Sequence, residues 1–259
     1  MKTQEDFSTT ISSEWKSKLY IMVSNVKGLQ NKNTVTGVAA TEEIVRQKVS
    51  EIISYLESAQ QKILYAILDL NTFYYSLKEY REAYSDWNKK LFSEKKVSGP
   101  PNFKVDYCST HVPLEVLLSK ISYTFFNSFH SFFDNYGHFL YACLYPDKEI
   151  PKRLYFYQVR NELLIDATYK SVSDAIEEYT IKPSFSYVNS IDNMNKHVRL
   201  ISPQASVSLY DGTIEIVMPE FIKGKETYNE EEMQKLFEDC YELCVGFYNK
   251  VTSKVFDTI

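Results

Sequence analysis

Between Val38 and Ser98 the chain contains no glycine and no proline. Within that run Ile44, Val45, Val49, Ile52, Ile53, Leu56, Ile63, Leu64, Ile67 and Leu68 recur at steps of three and four. That spacing gathers apolar side chains on one face of an α-helix. Thr41 stands where it can cap the helix, and Glu42 and Glu43 suit the positive end of its dipole. The pattern predicts one long helix over 41–95, with a kink placed near Asp69-Leu70-Asn71. Gly99, Pro100 and Pro101 stop it. Upstream, Ile11, Trp15, Leu19, Met22 and Val23 predict a shorter helix, and the glycine- and asparagine-rich stretch 27–37 reads as a loop.

Downstream of a connection through Pro113, Ile121, Phe125, Phe129, Phe132, Tyr136 and Phe139 form a stripe, with Phe126, Phe133 and Leu140 beside it. A helix apolar nearly all round belongs at the centre of a fold. Residues 151–178 predict another helix, ended by Pro183, and a shorter one begins near Ser184. The pattern then changes period. Two alternating runs flank Asp211-Gly212, which predicts a β-hairpin over 205–218. A last helix is expected over 229–256, with Met233, Leu236, Phe237, Cys240, Leu243, Cys244 and Phe247 inward. The fold class is therefore mostly α, a multi-helix bundle with one small β-hairpin before the C-terminal helix. The expected organisation is an N-terminal helix and loop over 1–37, then a helical domain over 38–259 whose bundle occupies 113–200. No strand–helix alternation supports a nucleotide-binding sheet.

Composition sharpens this picture. Only 7 glycines in 259 residues favour long helices over turn-rich sheets. The net charge of −5 argues against a dedicated DNA-binding surface, and no DNA partner is expected. The apolar runs fall far short of the roughly 20 residues that span a bilayer, so a soluble, cytoplasmic chain with no membrane partner is expected. Cys240 and Cys244 share a helix face but lack matching ligands, and read as small buried apolar residues. The 21 Tyr and 16 Phe follow helical spacing, which points to core and partner-helix packing rather than base stacking.

Two stretches carry candidate chemistry. "HSFFDNYGH" spaces His130, Asp134 and His138 four and four. Two of them can share a helix face while the third drifts by about 80°. A polar edge on an aromatic helix is the preferred reading over a metal site, and no metal or other cofactor is expected. "SIDNMNKHVRLIS" packs Asn193, Asn195, Lys196, His197 and Arg199 together. Arg160, on the preceding predicted helix, could approach His197 if the two helices pack antiparallel.

The stretch "FSYVNSIDNMNKHVRLIS" resembles the Asn- and Lys-His-bearing helix ending of HEPN-like helical proteins of bacteria, loosely over residues 113–202 and extending to the hairpin and last helix. The resemblance implies an all-α, often dimeric bundle. In the nuclease branch of that family, an Arg, four to six residues and a His form the hallmark of metal-independent RNA cleavage. Here no Arg occupies the upstream window. Asn193 stands four residues before His197, with Lys196 and Arg199 to supply charge. The resemblance thus implies Asn193, Lys196 and His197 as candidate catalytic residues, and Arg160 and Arg199 as candidate RNA contacts. Because the hallmark is incomplete, the expected function is self-association, as a homodimer, or binding of a protein partner. A metal-independent ribonuclease of toxin or phage-defence type using His197 is the alternative, with RNA as partner.

Overall fold

A computed structural model describes residues 11–26, 38–94, 104–107, 110–208 and 213–259. The loop expected at 27–37, the Gly99-Pro100-Pro101 stop, Cys108 and the Asp211-Gly212 turn lie outside the described residues. Among those described there are seven α-helices: α1 (Ser13–Ser24), α2 (Val38–Glu94), α3 (Leu114–Leu144), α4 (Phe156–Ile165), α5 (Lys170–Thr180), α6 (Pro183–His197) and α7 (Met233–Thr258). Short antiparallel strands complete the chain: β1 (Lys104–Tyr107), β2 (Thr110–Pro113), β3 (Gln204–Val207), β4 (Ile214–Met218), β5 (Phe221–Lys223), β6 (Glu226–Tyr228) and β7 (Glu231–Glu232).

The long helix α2 runs its 57 residues without interruption. At 1.5 Å per residue it extends about 86 Å. It starts at Val38, so Thr41 lies inside the first turn and not at the cap; Ala39 and Ala40 are strong helix formers that extend it backwards. The helix continues through Asp69-Leu70-Asn71, where α3 and α7 pack along it. Tyr55 stacks on His138, and Lys120 Nζ reaches Asp69 Oδ1 at 3.3 Å, so α3 runs antiparallel to α2. Gln60 Nε2 donates to the Tyr248 hydroxyl at 2.6 Å and the Tyr74 hydroxyl to Glu238, so α7 is antiparallel to α2 as well. The three helices share one core that continues into α1, where Leu19 and Val23 are fully buried and Trp15 stacks on Phe256 at 4.3 Å.

Helix α3 is the central element that its pattern predicts. Phe125, Phe126, Phe129, Phe132 and Phe139 are fully buried. Gly137 lets the start of α4 press against it: a Cβ there would lie 3.1 Å from the Phe156 Cα. Cys143, Cys240 and Cys244 are buried thiols, and burial pushes all three up from the usual thiol value.

The single helix expected over 151–178 is two helices, α4 and α5, separated at Asp166 and a short 3₁₀ turn, Ala167–Tyr169. Asp166 leaves the helical region (φ −93°, ψ 102°). Its carboxylate then accepts the Thr168 N–H at 3.0 Å and the Tyr145 hydroxyl at 3.3 Å, which offsets the broken helical bonds. The hairpin predicted before the last helix is β3–β4, with Ala205 opposite Ile216. It is not alone. β7 adds to β4, β1 and β2 pair within the expected connection, and β5–β6 form a further hairpin. The two-residue turn of β5–β6 needs a left-handed residue, supplied by Gly224 at φ +64°. The last helix accordingly starts at Met233, because 231–232 pair as a strand. Among the described residues, no helix is long and apolar enough to cross a membrane.

Asp69 is a charged residue in the α2–α3 interface, 7% exposed. Burial raises its carboxyl above the ordinary 3.8, against the opposing pull of the Thr124 hydroxyl and the Lys120 ammonium. The folded state therefore holds this proton more tightly than the unfolded chain does. Its contribution is favourable below pH 3.8 and is lost as pH rises through the raised folded value. Asp69→Asn is expected to be more stable than the wild type at pH 7 and to lose that advantage near pH 3. Urea unfolding at the two pH values checks this; equal differences at both would refute it.

Candidate functional site

The C-terminal end of α6 carries the predicted site residues, and most of them have structural partners. Asn193 Nδ2 donates to the Asn189 carbonyl at 2.8 Å, one turn back in the same helix. Asn195 Oδ1 accepts the Ile201 N–H at 2.8 Å and so ties the chain leaving the helix to its last turn. The N–H groups of Val198 and Arg199 both reach the Met194 carbonyl, closing the helix end. Lys196 Nζ lies 2.8 Å from Asp192 Oδ2. His197 and Arg199 are exposed. Lys196 and His197 in the last turn suit the negative end of the dipole.

Asp192 is the residue that organises this helix end. It is 1% exposed, and neither carboxylate oxygen has a directed hydrogen bond. Its compensation is the charge of Lys196 and, across the interface with α3, His130 Nδ1 at 3.4 Å. His130 is also 3.7 Å from Asp134 Oδ2, and Asp134 Oδ1 accepts the Phe156 N–H at 3.1 Å at the start of α4. The two polar stretches of the sequence thus meet in one cluster that fastens α3, α4 and α6 together. Spacing alone offered one clue: an acid at 192 and a base at 196 fall on one face, one turn apart.

The candidates do not all converge. His138 turns away from His130, with its ring against Tyr55 and Nδ1 at 3.0 Å from the Asp134 carbonyl. Among the described residues no group of three His, Cys, Asp or Glu side chains is placed to hold a metal ion. Arg160 Nε donates to Glu177 Oε1 at 2.7 Å, an ion pair between α4 and α5 and not with His197.

The outward face of the helix end carries apolar side chains beside His197 and Arg199. Val198 and Leu200 are exposed, Leu200 at 52%. Leu200, Pro203 and Ala205 line an open groove of about 1040 Å³ with Val116 and Tyr123 of α3. Val116 is 57% exposed. Sequence reasoning passed over these residues because Val198 and Leu200 lie beyond the helix, where helical periodicity no longer assigns a face. Chemically, the site pairs an internally compensated ionic cluster with an uncovered apolar wall. Compared with protein-family models, with curated proteins and with solved structures, the chain shows no match.

Proposed function

We propose that this protein is a HEPN-like helical interaction module that self-associates, and that the groove between α3 and residues 200–205 is the contact. One observation carries the reading: Asn193, Asn195 and Lys196 have partners within the fold, whereas Val198, Leu200, Val116 and Tyr123 face outward. Uncovered apolar surface rimmed by polar groups is characteristic of association sites. A second copy is the favoured occupant because the patch holds both signs of charge. Exposed Glu115 lines the groove and exposed Arg199 directly precedes the lining residue Leu200 in the chain, so a two-fold contact can set each against the other.

Sedimentation velocity over a range of concentrations tests this. The wild type is expected to sediment as a dimer. The Val116→Lys, Leu200→Lys double variant is expected to be monomeric at unchanged helical content by circular dichroism. The ribonuclease alternative draws on His197 and Arg199 both being exposed at the helix end. A wild type that stays monomeric at every concentration, and cleaves single-stranded RNA in EDTA with loss of cleavage in His197→Ala, would overturn the interaction reading in favour of it.

A further inference from the structure

β3 is an edge strand. In the sheet β3–β4–β7 it pairs with β4 on one side, and among the described residues no strand lies on the other. The ladder fixes which of its backbone groups are already used. The Ser208 N–H donates to the Thr213 carbonyl at 2.9 Å, so in this antiparallel register Ser206 and Gln204 also bond to β4, opposite Glu215 and Val217. Alternation then turns the N–H and C=O of Ala205 and Val207 to the free edge. Ala205 is on the wall of the groove shared with α3. Pro203, the next position back along that edge, has no N–H, so the free donors are those of Ala205 and Val207.

An open edge is a template for another strand, and proteins ordinarily blunt theirs with charged residues or proline. Every other described strand holds at least one ionisable side chain: Lys104 in β1, His111 in β2, Glu215 in β4, Lys223 in β5, Glu226 in β6 and Glu231 in β7. β3, Gln204-Ala205-Ser206-Val207, has neither an ionisable residue nor a proline. This edge is also complementary to itself. Take an antiparallel pair related by a two-fold axis at Ser206. The N–H and C=O of Ala205 then meet the C=O and N–H of the partner's Val207, and the reverse pair does the same. Exposed Ser206 faces the partner's Ser206, and no charge opposes a like charge. A charged peptide would gain no ion pair from such a strand, so a second copy is the occupant that this edge fits.

We propose that β3 pairs antiparallel with β3 of a second copy, so that two three-stranded sheets join into one across the two-fold axis. The inference rests on the reading that the chain self-associates through the groove at α3, and it names the backbone contact that forms there. Ala205 stands opposite Ile216, which is 4% exposed, and so belongs to the core-side face of the sheet. The joined sheet carries that face of the partner's strand alongside the groove wall of Val116 and Tyr123.

Cysteine cross-linking and sedimentation velocity on the full chain test the proposal. Ser206 and the partner's Ser206 form a non-hydrogen-bonded pair, whose Cα atoms lie about 4.5 Å apart, near enough for a disulfide. Oxidised Ser206→Cys is therefore expected to run as a covalent dimer on non-reducing electrophoresis. In Gln204→Cys the two new cysteines would stand roughly 14 Å apart, and cross-linking is expected to stay at the level of the wild type with its native cysteines. Ala205→Pro removes an outward donor and leaves the bonds to β4 in place, a position where an edge strand accepts proline. It is expected to raise the dimer dissociation constant at least about tenfold at unchanged helical content. A wild-type dimer that Val116→Lys, Leu200→Lys breaks, but in which Ser206→Cys links no better than Gln204→Cys or Ala205→Pro leaves the affinity unchanged, would overturn strand pairing and leave the groove reading standing. A wild type that stays monomeric at every concentration would overturn both.

Discussion

Phe237→Ala is expected to lower the unfolding free energy by about 3–5 kcal/mol. Phe237 is fully buried where α2, α3 and α7 meet. Its ring stacks on Phe125 with centroids 3.9 Å apart and 20° between planes. It presents edges to Phe73 at 5.3 Å and Phe126 at 5.6 Å. Truncation therefore removes the transfer free energy of a whole aromatic side chain and opens a cavity among three helices. These helices are long, and each is held by contacts along its length, so they cannot close that gap by a local shift. Against a typical total of about 5–15 kcal/mol, such a loss is a large fraction of stability. Phe237→Leu should cost distinctly less, since it keeps most of the volume. Tyr157→Ala, at a position 59% exposed on α4, should change stability by less than about 0.5 kcal/mol. Urea unfolding followed by circular dichroism measures all three. A cost below about 1 kcal/mol for Phe237→Ala would show that the three-helix junction is not the centre of the core.

That junction was legible in the sequence because it depends on periodicity within single helices. The all-round apolar pattern of α3 placed it at the centre, and Phe237, Cys240 and Cys244 fell on the inner side of α7 as expected. The length of α2 was visible from its freedom from glycine and proline. What escaped was set by individual side chains at element ends. Asp166 divides α4 from α5 through hydrogen bonds that replace helical ones, and an aspartate between Ile165 and Ala167 gives no periodic signal. The β1–β2 hairpin was hidden by the strong stop at Gly99-Pro100-Pro101, which marked the whole stretch as connection. At the candidate site the difficulty was tertiary. His130 and Asp134 were noticed on one helix, and Asn193, Lys196 and His197 on another. Asp192, which joins the two groups, was passed over in favour of its neighbours. Only the packing of α6 on α3 shows that a buried carboxylate needs both His130 and Lys196.

The two members of that cluster are expected to respond unequally to substitution. Lys196→Met leaves the Asp192 carboxylate 1% exposed, with no directed hydrogen bond and only His130 nearby. A buried charge deprived of its partner typically costs about 3–5 kcal/mol. The Lys196 side chain is itself 31% exposed, so water takes up part of its role and about 2–3 kcal/mol is the expected loss. Asp192→Asn removes the charge instead. Lys196 can then swing into solvent, and the expected cost is within about 1 kcal/mol. The double variant should recover most of what Lys196→Met loses, giving a coupling of about 2–3 kcal/mol in a double-mutant cycle. Equal single costs that simply add would show that the ion pair contributes nothing at this position. The same cycle bears on the groove. Val198 and Leu200 follow directly on the turn that Asp192 and Lys196 hold in place. If the helix end positions them, Lys196→Met should also weaken the proposed self-association in sedimentation velocity, and the double variant should restore it. Self-association of the wild type that Lys196→Met leaves unchanged would separate the ionic cluster from the proposed contact and leave it with a purely structural role.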